Sequence, residues 1–227
     1  LVAAAENTLR QPTSDMIGSF DMEKYAEMSL NDFSAALASK EAVPGGGGAA
    51  AVAGALAAAL GGMVCNLSAG KKSCAEHAEF IAKALEELEL TRKYMLRLAD
   101  EDAKAFAPLK KYLSLPKDDP ERAAHMDSAL RVACFIPTEI LYTAARTAEL
   151  LSELAGKGVK GAISDVGVGL ELCRAAMRAS RLNILINAAG MADEVFAMTL
   201  RRECELVFEQ YGPVIDSGLA AVEARIG

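Results

Sequence analysis

Four consecutive glycines, Gly45, Gly46, Gly47 and Gly48, follow Pro44 and lead into an alanine-rich run. Glycines let a backbone approach a ligand closely, and a helix that starts there offers unpaired N–H groups with positive dipole character. Together these make a cradle for an anion or a polar ligand. The same composition also suits a plain connector between helices. It is not a Walker A loop, because no Gly-Lys-Ser/Thr follows, and not a dinucleotide fingerprint, because no strand precedes it. Lys71 and Lys72 stand beyond the far end of the alanine run, where they either complement a helix C-terminus or seat a carboxylate-bearing tail. Asp100, Glu101 and Asp102 form a charged helix face or supply a general base. Asp165, after Ser164, reads as a helix N-cap or as a carboxylate held beside a cleft. Asn183 and Asn187 lie four apart in the apolar run 182–187 and share one helix face. Asn is a poor interior helix residue, so burying both requires partners across a helix interface or on a ligand.

Other chemistries find no support. His77 and His125 have no partner at ligand spacing, so no metal site is expected. The five cysteines, at 65, 74, 134, 173 and 204, form no C-x-x-C pair. Their odd number fits reduced, buried thiols and a cytoplasmic protein better than a disulfide framework. No Ser-His-Asp arrangement or nucleophile elbow is present.

Helices must position these residues. Hydrophobic residues make up 52 % of the 227, Trp is absent, alanine is abundant, and strand-like β-branched runs are scarce. The expected fold class is all-α, a bundle of five to seven helices. Ser29 caps a short helix with Leu30, Phe33 and Leu37 on one stripe. A second helix runs over about 49–67, and its Gly54, Gly61 and Gly62 imply close approach by a neighbour. A third covers about 73–112. Asp119 and Pro120 start a fourth, which Pro137 kinks or splits. Ser164 or Asp165 starts a fifth, and a last helix from about 192 is interrupted by Pro213. Residues 1–28 read as an N-terminal extension, either an appended segment or an extra helix, with Met22 a candidate start. Residues 29–227 form the domain. No signal peptide is evident.

Net charge is −7, with 24 Lys and Arg against 31 Asp and Glu. That balance lacks the basic footprint of a nucleic-acid partner. The apolar stretch 45–64 is Gly and Ala with few large side chains, so its drive to enter a membrane is weak, and no membrane partner is expected.

Three stretches resemble the cyclodeaminase/cyclohydrolase group of folate enzymes. They are PGGGGAAAVAGALAAALGGMVCNLSAGKK at 44–72, AISDVGVGLELCRAAMRASRLNILINAAG at 162–190 and, more weakly, ADEDAKAF at 99–106. The group holds stand-alone methenyltetrahydrofolate cyclohydrolases and the cyclodeaminase domains of formiminotransferase-cyclodeaminases. The resemblance covers about residue 29 to the end. It implies an all-helical subunit that forms homodimers, with folate bound near the glycine loop and no metal or cofactor beyond the tetrahydrofolate substrate. Gly45, Gly46, Gly47, Gly48, Lys71, Asp102, Asp165, Asn183 and Asn187 fall on its motif positions. In that frame Asp165 or Asp102 acts as base and counter-charge, and Lys71 donates a proton or holds a carboxylate. Asn183 and Asn187 bind the pterin edge or orient water. Relatives often carry Gly-Asn in the loop where this chain reads Gly156, Lys157, Gly158, Val159 and Lys160.

The four-glycine loop and the string 63–68 look closer to the cyclohydrolases. The expected reaction is therefore hydrolysis of 5,10-methenyltetrahydrofolate to 10-formyltetrahydrofolate. Cyclodeamination of formiminotetrahydrofolate with release of ammonia is the alternative. A non-catalytic helical interaction protein is the rival from another class.

Overall fold

The computed structural model describes residues 24–227, so the reading of residues 1–23 lies outside it. Six α-helices follow in order: α1 (Leu30–Leu37), α2 (Gly46–Ser68), α3 (Ala78–Leu113), α4 (Pro120–Lys157), α5 (Ile163–Ala189) and α6 (Glu194–Ile226). Short 3₁₀ turns at Tyr25–Glu27, Lys72–His77 and Lys160–Ala162 complete the described residues, and no strand occurs among them.

Local capping chemistry sets several helix starts. The Ser29 hydroxyl accepts from the Asp32 N–H, and the Asp119 carboxylate accepts from Glu121 and Arg122 with Pro120 at the first helical position. Asp193 caps α6 by accepting from the Phe196 N–H at 2.9 Å. The α1 stripe is another matter: no residue of α1 is buried, and Leu30 is exposed.

α2 lies against α3, α5 and α4. Its alanines Ala50, Ala51, Ala55, Ala57 and Ala58 are buried with Val64 and Cys65. Two of its glycines are there for side chains. A Cβ on Gly54 would sit 2.7 Å from the Met95 methyl, and one on Gly61 would sit 2.5 Å from a Leu151 methyl and 2.9 Å from Leu88. Gly62 has no such neighbour, its nearest being Leu85 at 3.8 Å. Among the described residues α2 is the one helix long and apolar enough to cross a membrane by length and composition, but 56 % of that apolar window is buried inside the protein.

α2 and α5 run antiparallel. Gly46 lies beside Asn183, a Cβ on Gly169 would meet the Ala57 carbonyl at 3.4 Å, and the Ser68 hydroxyl accepts from the Val159 N–H at 2.8 Å.

Several expectations are corrected. α2 begins at Gly46, inside the glycine run rather than at 49, because nothing but glycine geometry opposes the helix there. Pro137 and Pro213 lie inside continuous helices. A proline at 137 leaves the carbonyl four residues earlier without its helical donor. That carbonyl belongs to Ala133, and the Asn187 side-chain amide donates to it at 3.1 Å. A neighbouring helix thus supplies the bond that the proline removed. Asp165 is not an N-cap: α5 starts at Ile163 behind Ala162, which makes no side-chain cap, and Asp165 lies inside the first turn. The preceding 3₁₀ turn feeds directly into the helix.

Candidate active site at the α2 N-terminus

The acidic trio of α3 diverges in three directions. The Asp100 carboxylate accepts from the Ala26 N–H at 3.2 Å and docks the entry segment. Glu101 pairs with Arg97 at 3.2 Å on a solvated face. Asp102 points inward, where its carboxylate accepts from the Gly48 N–H at the first turn of α2. Gly47 has no room for a side chain, because a Cβ there would overlap the Asp102 carboxylate. The Val43–Pro44 bond leading into this turn is cis. None of the four loop glycines has positive φ, so their use is close approach to neighbouring groups.

Burial pushes the Asp102 carboxyl up to about 6, and the Gly48 N–H opposes that rise only in part. A carboxylate of this kind is ionised near neutrality yet basic enough to accept a proton. Asn183 comes in from α5. A Cβ on Gly46 would lie 3.2 Å from its side-chain oxygen, and its amide nitrogen donates to the Ala179 carbonyl at 3.1 Å. The α2 N-terminus therefore gathers unpaired N–H groups, one enclosed carboxylate and one carboxamide.

Of the residues singled out in the sequence, Gly46, Gly47, Gly48, Asp102 and Asn183 converge here, with Gly45 as the residue preceding the helix. Asn187 does not join them, because its amide is spent on the Ala133 carbonyl of α4. Lys71 and Asp165 lie at the opposite end of the α2–α5 pair. Asp165 stands 18 residues before Asn183 on one helix, about 27 Å at 1.5 Å per residue. Lys71 follows the C-terminus of α2 and is exposed.

Sequence reasoning missed a cavity of about 600 Å³ between α3 and α4, on the flank of the helix that carries Asp102. Tyr94, Tyr112 and Phe135 supply aromatic walls, and the Tyr94 hydroxyl donates to Glu139 at 2.8 Å. The recurrence of Tyr94, Leu98, Glu101, Ala105, Pro108 and Tyr112 along one side of α3 is the pattern that could have shown it. Among the described residues no group of three or more His, Cys, Asp or Glu is placed to hold a metal. The cysteines at 65, 74, 134, 173 and 204 are free and buried, and burial pushes the Cys65 and Cys204 thiols up to about 11.

An all-helical bundle with a carboxylate enclosed against a glycine-built helix start defines the class of this chain, and its sequence and fold match known proteins. A profile of the formiminotransferase-cyclodeaminase family matches residues 29–206. The chain is 33 % identical over 202 residues to a methenyltetrahydrofolate cyclohydrolase of Methylorubrum extorquens, covering 87 % of this chain and 97 % of that protein. It is 28 % identical over 207 residues to the formimidoyltransferase-cyclodeaminase of Mus musculus, covering 89 % of this chain but only 38 % of that longer protein. The crystal structure of a formiminotetrahydrofolate cyclodeaminase from Thermotoga maritima superposes with a TM-score of 0.74 at 28 % identity, covering 88 % of this chain and 96 % of that one. This chain belongs to the formiminotransferase-cyclodeaminase family.

Proposed function

We propose that the protein is a methenyltetrahydrofolate cyclohydrolase, an enzyme of one-carbon metabolism that forms 10-formyltetrahydrofolate. The observation that carries this reading is the enclosed Asp102 carboxylate, raised to about 6 and set against the α2 N-terminus beside Asn183. The substrate is a cation, an amidinium bridging N5 and N10. Water adds to its carbon while Asp102 takes a proton from the water. The C–N5 bond then breaks, its electron pair goes to N5, and N5 keeps the second proton of the water. One cationic charge is lost and one proton is released. Asn183 orients the water or the pterin edge, and the N–H groups of the α2 start hold a polar part of the folate. The match to the Methylorubrum extorquens cyclohydrolase over 97 % of its length favours this reaction.

Cyclodeamination is the second reading, favoured by the match to the Thermotoga maritima cyclodeaminase over 96 % of its chain. There N10 attacks a formimino carbon and ammonia leaves, and the same carboxylate serves as proton carrier. One assay separates the two. Purified protein is given methenyltetrahydrofolate, followed by loss of its absorbance, and formiminotetrahydrofolate, followed by ammonia. The proposal expects fast loss of absorbance and little ammonia, and the reverse result transfers the protein to the second reading. The protein acts in the cytoplasm as a homodimer, with folate as its small-molecule partner and no cofactor beyond it. The free, buried cysteines and the open apolar face of α2 and α5 support this setting.

A further inference from the structure

The cavity of about 600 Å³ between α3 and α4 stands outside the proton chemistry assigned to Asp102. That carboxylate turns toward α2 and meets the Gly48 N–H, while the cavity runs along the flank of α3 that faces α4. Its volume is that of a small-molecule site. Its chemistry changes from one end to the other. At the Tyr94 end the tyrosine hydroxyl donates to Glu139 Oε2 at 2.8 Å. Glu139 Oε1 makes no hydrogen bond with the described residues, so one acceptor is left for a ligand donor. Toward the other end Lys104 stands on the rim, exposed and without an acidic partner among the described residues. Lys104 follows Tyr94 by ten positions on one helix, about 15 Å at 1.5 Å per residue. The half-buried Phe135 ring lines the wall between them. The other charged groups of the lining are engaged. Glu101 pairs with Arg97 at 3.2 Å, the Arg97 guanidinium lies 4.9 Å over the Tyr94 ring, and His125 stacks on Tyr112.

We propose that this cavity binds an aromatic amine that carries a carboxylate, the p-aminobenzoylglutamate class. The amine N–H donates to Glu139 Oε1, the ring lies along Phe135, and the carboxylate meets Lys104. The two ends select that polarity. A cationic group is repelled at the Lys104 end, and a second carboxylate is repelled at the Glu139 end. A flat ring between them covers half-buried aromatic surface and loses little conformational freedom on binding. The choice of p-aminobenzoylglutamate within the class rests on the folate reading above, because every folate carries this arm. The occupant is either the arm of the folate being turned over or a second molecule of the same chemistry.

Isothermal titration calorimetry with p-aminobenzoylglutamate tests the site without reference to turnover. Wild type should bind it saturably. Lys104→Glu reverses the charge on the rim, and Glu139→Gln puts a donor where the free acceptor stands. Each should weaken binding by about fivefold or more, with helical circular dichroism intact. Lys83→Glu, at an exposed position near the start of the same helix, should leave it unchanged. If Glu139→Gln does not fold, the exposed Lys104→Glu decides alone. Absence of binding to wild type overturns the proposal. Binding that ignores Lys104→Glu also overturns it, because the ligand then occupies another site. Steady-state kinetics with methenyltetrahydrofolate identifies the occupant. If the cavity holds the arm of the substrate, Lys104→Glu raises KM by the same factor as it weakens p-aminobenzoylglutamate, with kcat unchanged. If it holds a second molecule, KM stays as in wild type and p-aminobenzoylglutamate still binds to substrate-saturated protein. A protein that turns over neither folate, yet binds p-aminobenzoylglutamate in a Lys104-dependent way, sinks the functional reading while leaving the site standing.

Discussion

At the glycine end of the α2–α5 pair, Asp102 is enclosed, accepts an N–H from Gly48 and carries a carboxyl raised to about 6. At the opposite end Lys71 is exposed and Asp165 half-buried, inside a helix turn that no side chain caps. One end is preorganised by its own chain and the other stands open to solvent. Preorganised groups in a water-poor setting are the ones able to do proton chemistry. Open ones are suited to meeting the charges of a ligand that arrives with its own solvent.

The largest expected effects lie at the enclosed end. Gly47→Ala drives a Cβ into the Asp102 carboxylate and should abolish turnover, whereas Gly46→Ala asks the Asn183 amide, 3.2 Å away, to shift by a few tenths of an ångström and should cost far less. Asp102→Asn keeps a group that can accept from Gly48 but not a proton from water, and should lower kcat by about a hundredfold or more. Steady-state kinetics on the three variants, with circular dichroism to confirm folding, would break the comparison if Gly46→Ala proved as damaging as Gly47→Ala.

The pH dependence follows from the same carboxylate. kcat/KM should rise with pH through about 6, and the limb in kcat should lie lower because a bound cation favours the ionised form. Stability moves the other way. From the unfolded value near 4 up to about 6, the folded state holds a proton that the unfolded chain releases. The contribution of Asp102 to stability therefore falls as pH rises through that window. Urea titrations of wild type and Asp102→Asn should carry this slope in the difference between the two, since the other shifted carboxyls contribute equally to both.

The two asparagines sharpen the contrast between site and scaffold. Asn183→Leu should lower kcat/KM by on the order of tenfold or more with little change in Tm. Asn187→Leu leaves the buried Ala133 carbonyl unpaired and should cost about 1–3 kcal/mol of stability, with kcat of the folded protein preserved. In α2, Gly61→Ala crowds Leu151 and Leu88 and should cost about 1–3 kcal/mol. Gly62→Ala, in ordinary contact only, should be neutral or stabilising by up to about 1 kcal/mol. The smallest expected effect is none at all: extensive chelation should leave turnover unchanged, as activity restored only by an added divalent ion would disprove.

The all-helical class and the starts of α1 and α4 were legible because capping is local. Ser29 and Asp119 carry their own instructions, and so does Pro120. The glycine turn and Asp102 were legible as candidates, but their meeting was not, because it depends on which face of α3 turns toward α2. Proline does not split α4 at 137 or interrupt α6 at 213, and the group that supplies the bond lost at the first, Asn187, lies 50 residues away in sequence. Asp165 misled as a cap because the 3₁₀ turn before it could not be read from Lys160, Gly161 and Ala162.

The charge-free α2 helix has a consequence during synthesis. It leaves the ribosome well before α5, the partner that covers one of its sides. About a hundred further residues must be added before α5 is complete, which takes on the order of ten seconds. Through that interval a membrane-length apolar segment waits without its cover, exposed to the machinery that inserts nascent helices into bilayers. Alanine and glycine in place of leucine and isoleucine keep its insertion free energy weak. The same small side chains that let α2 pack closely in the finished bundle thus help the unfinished chain stay in water.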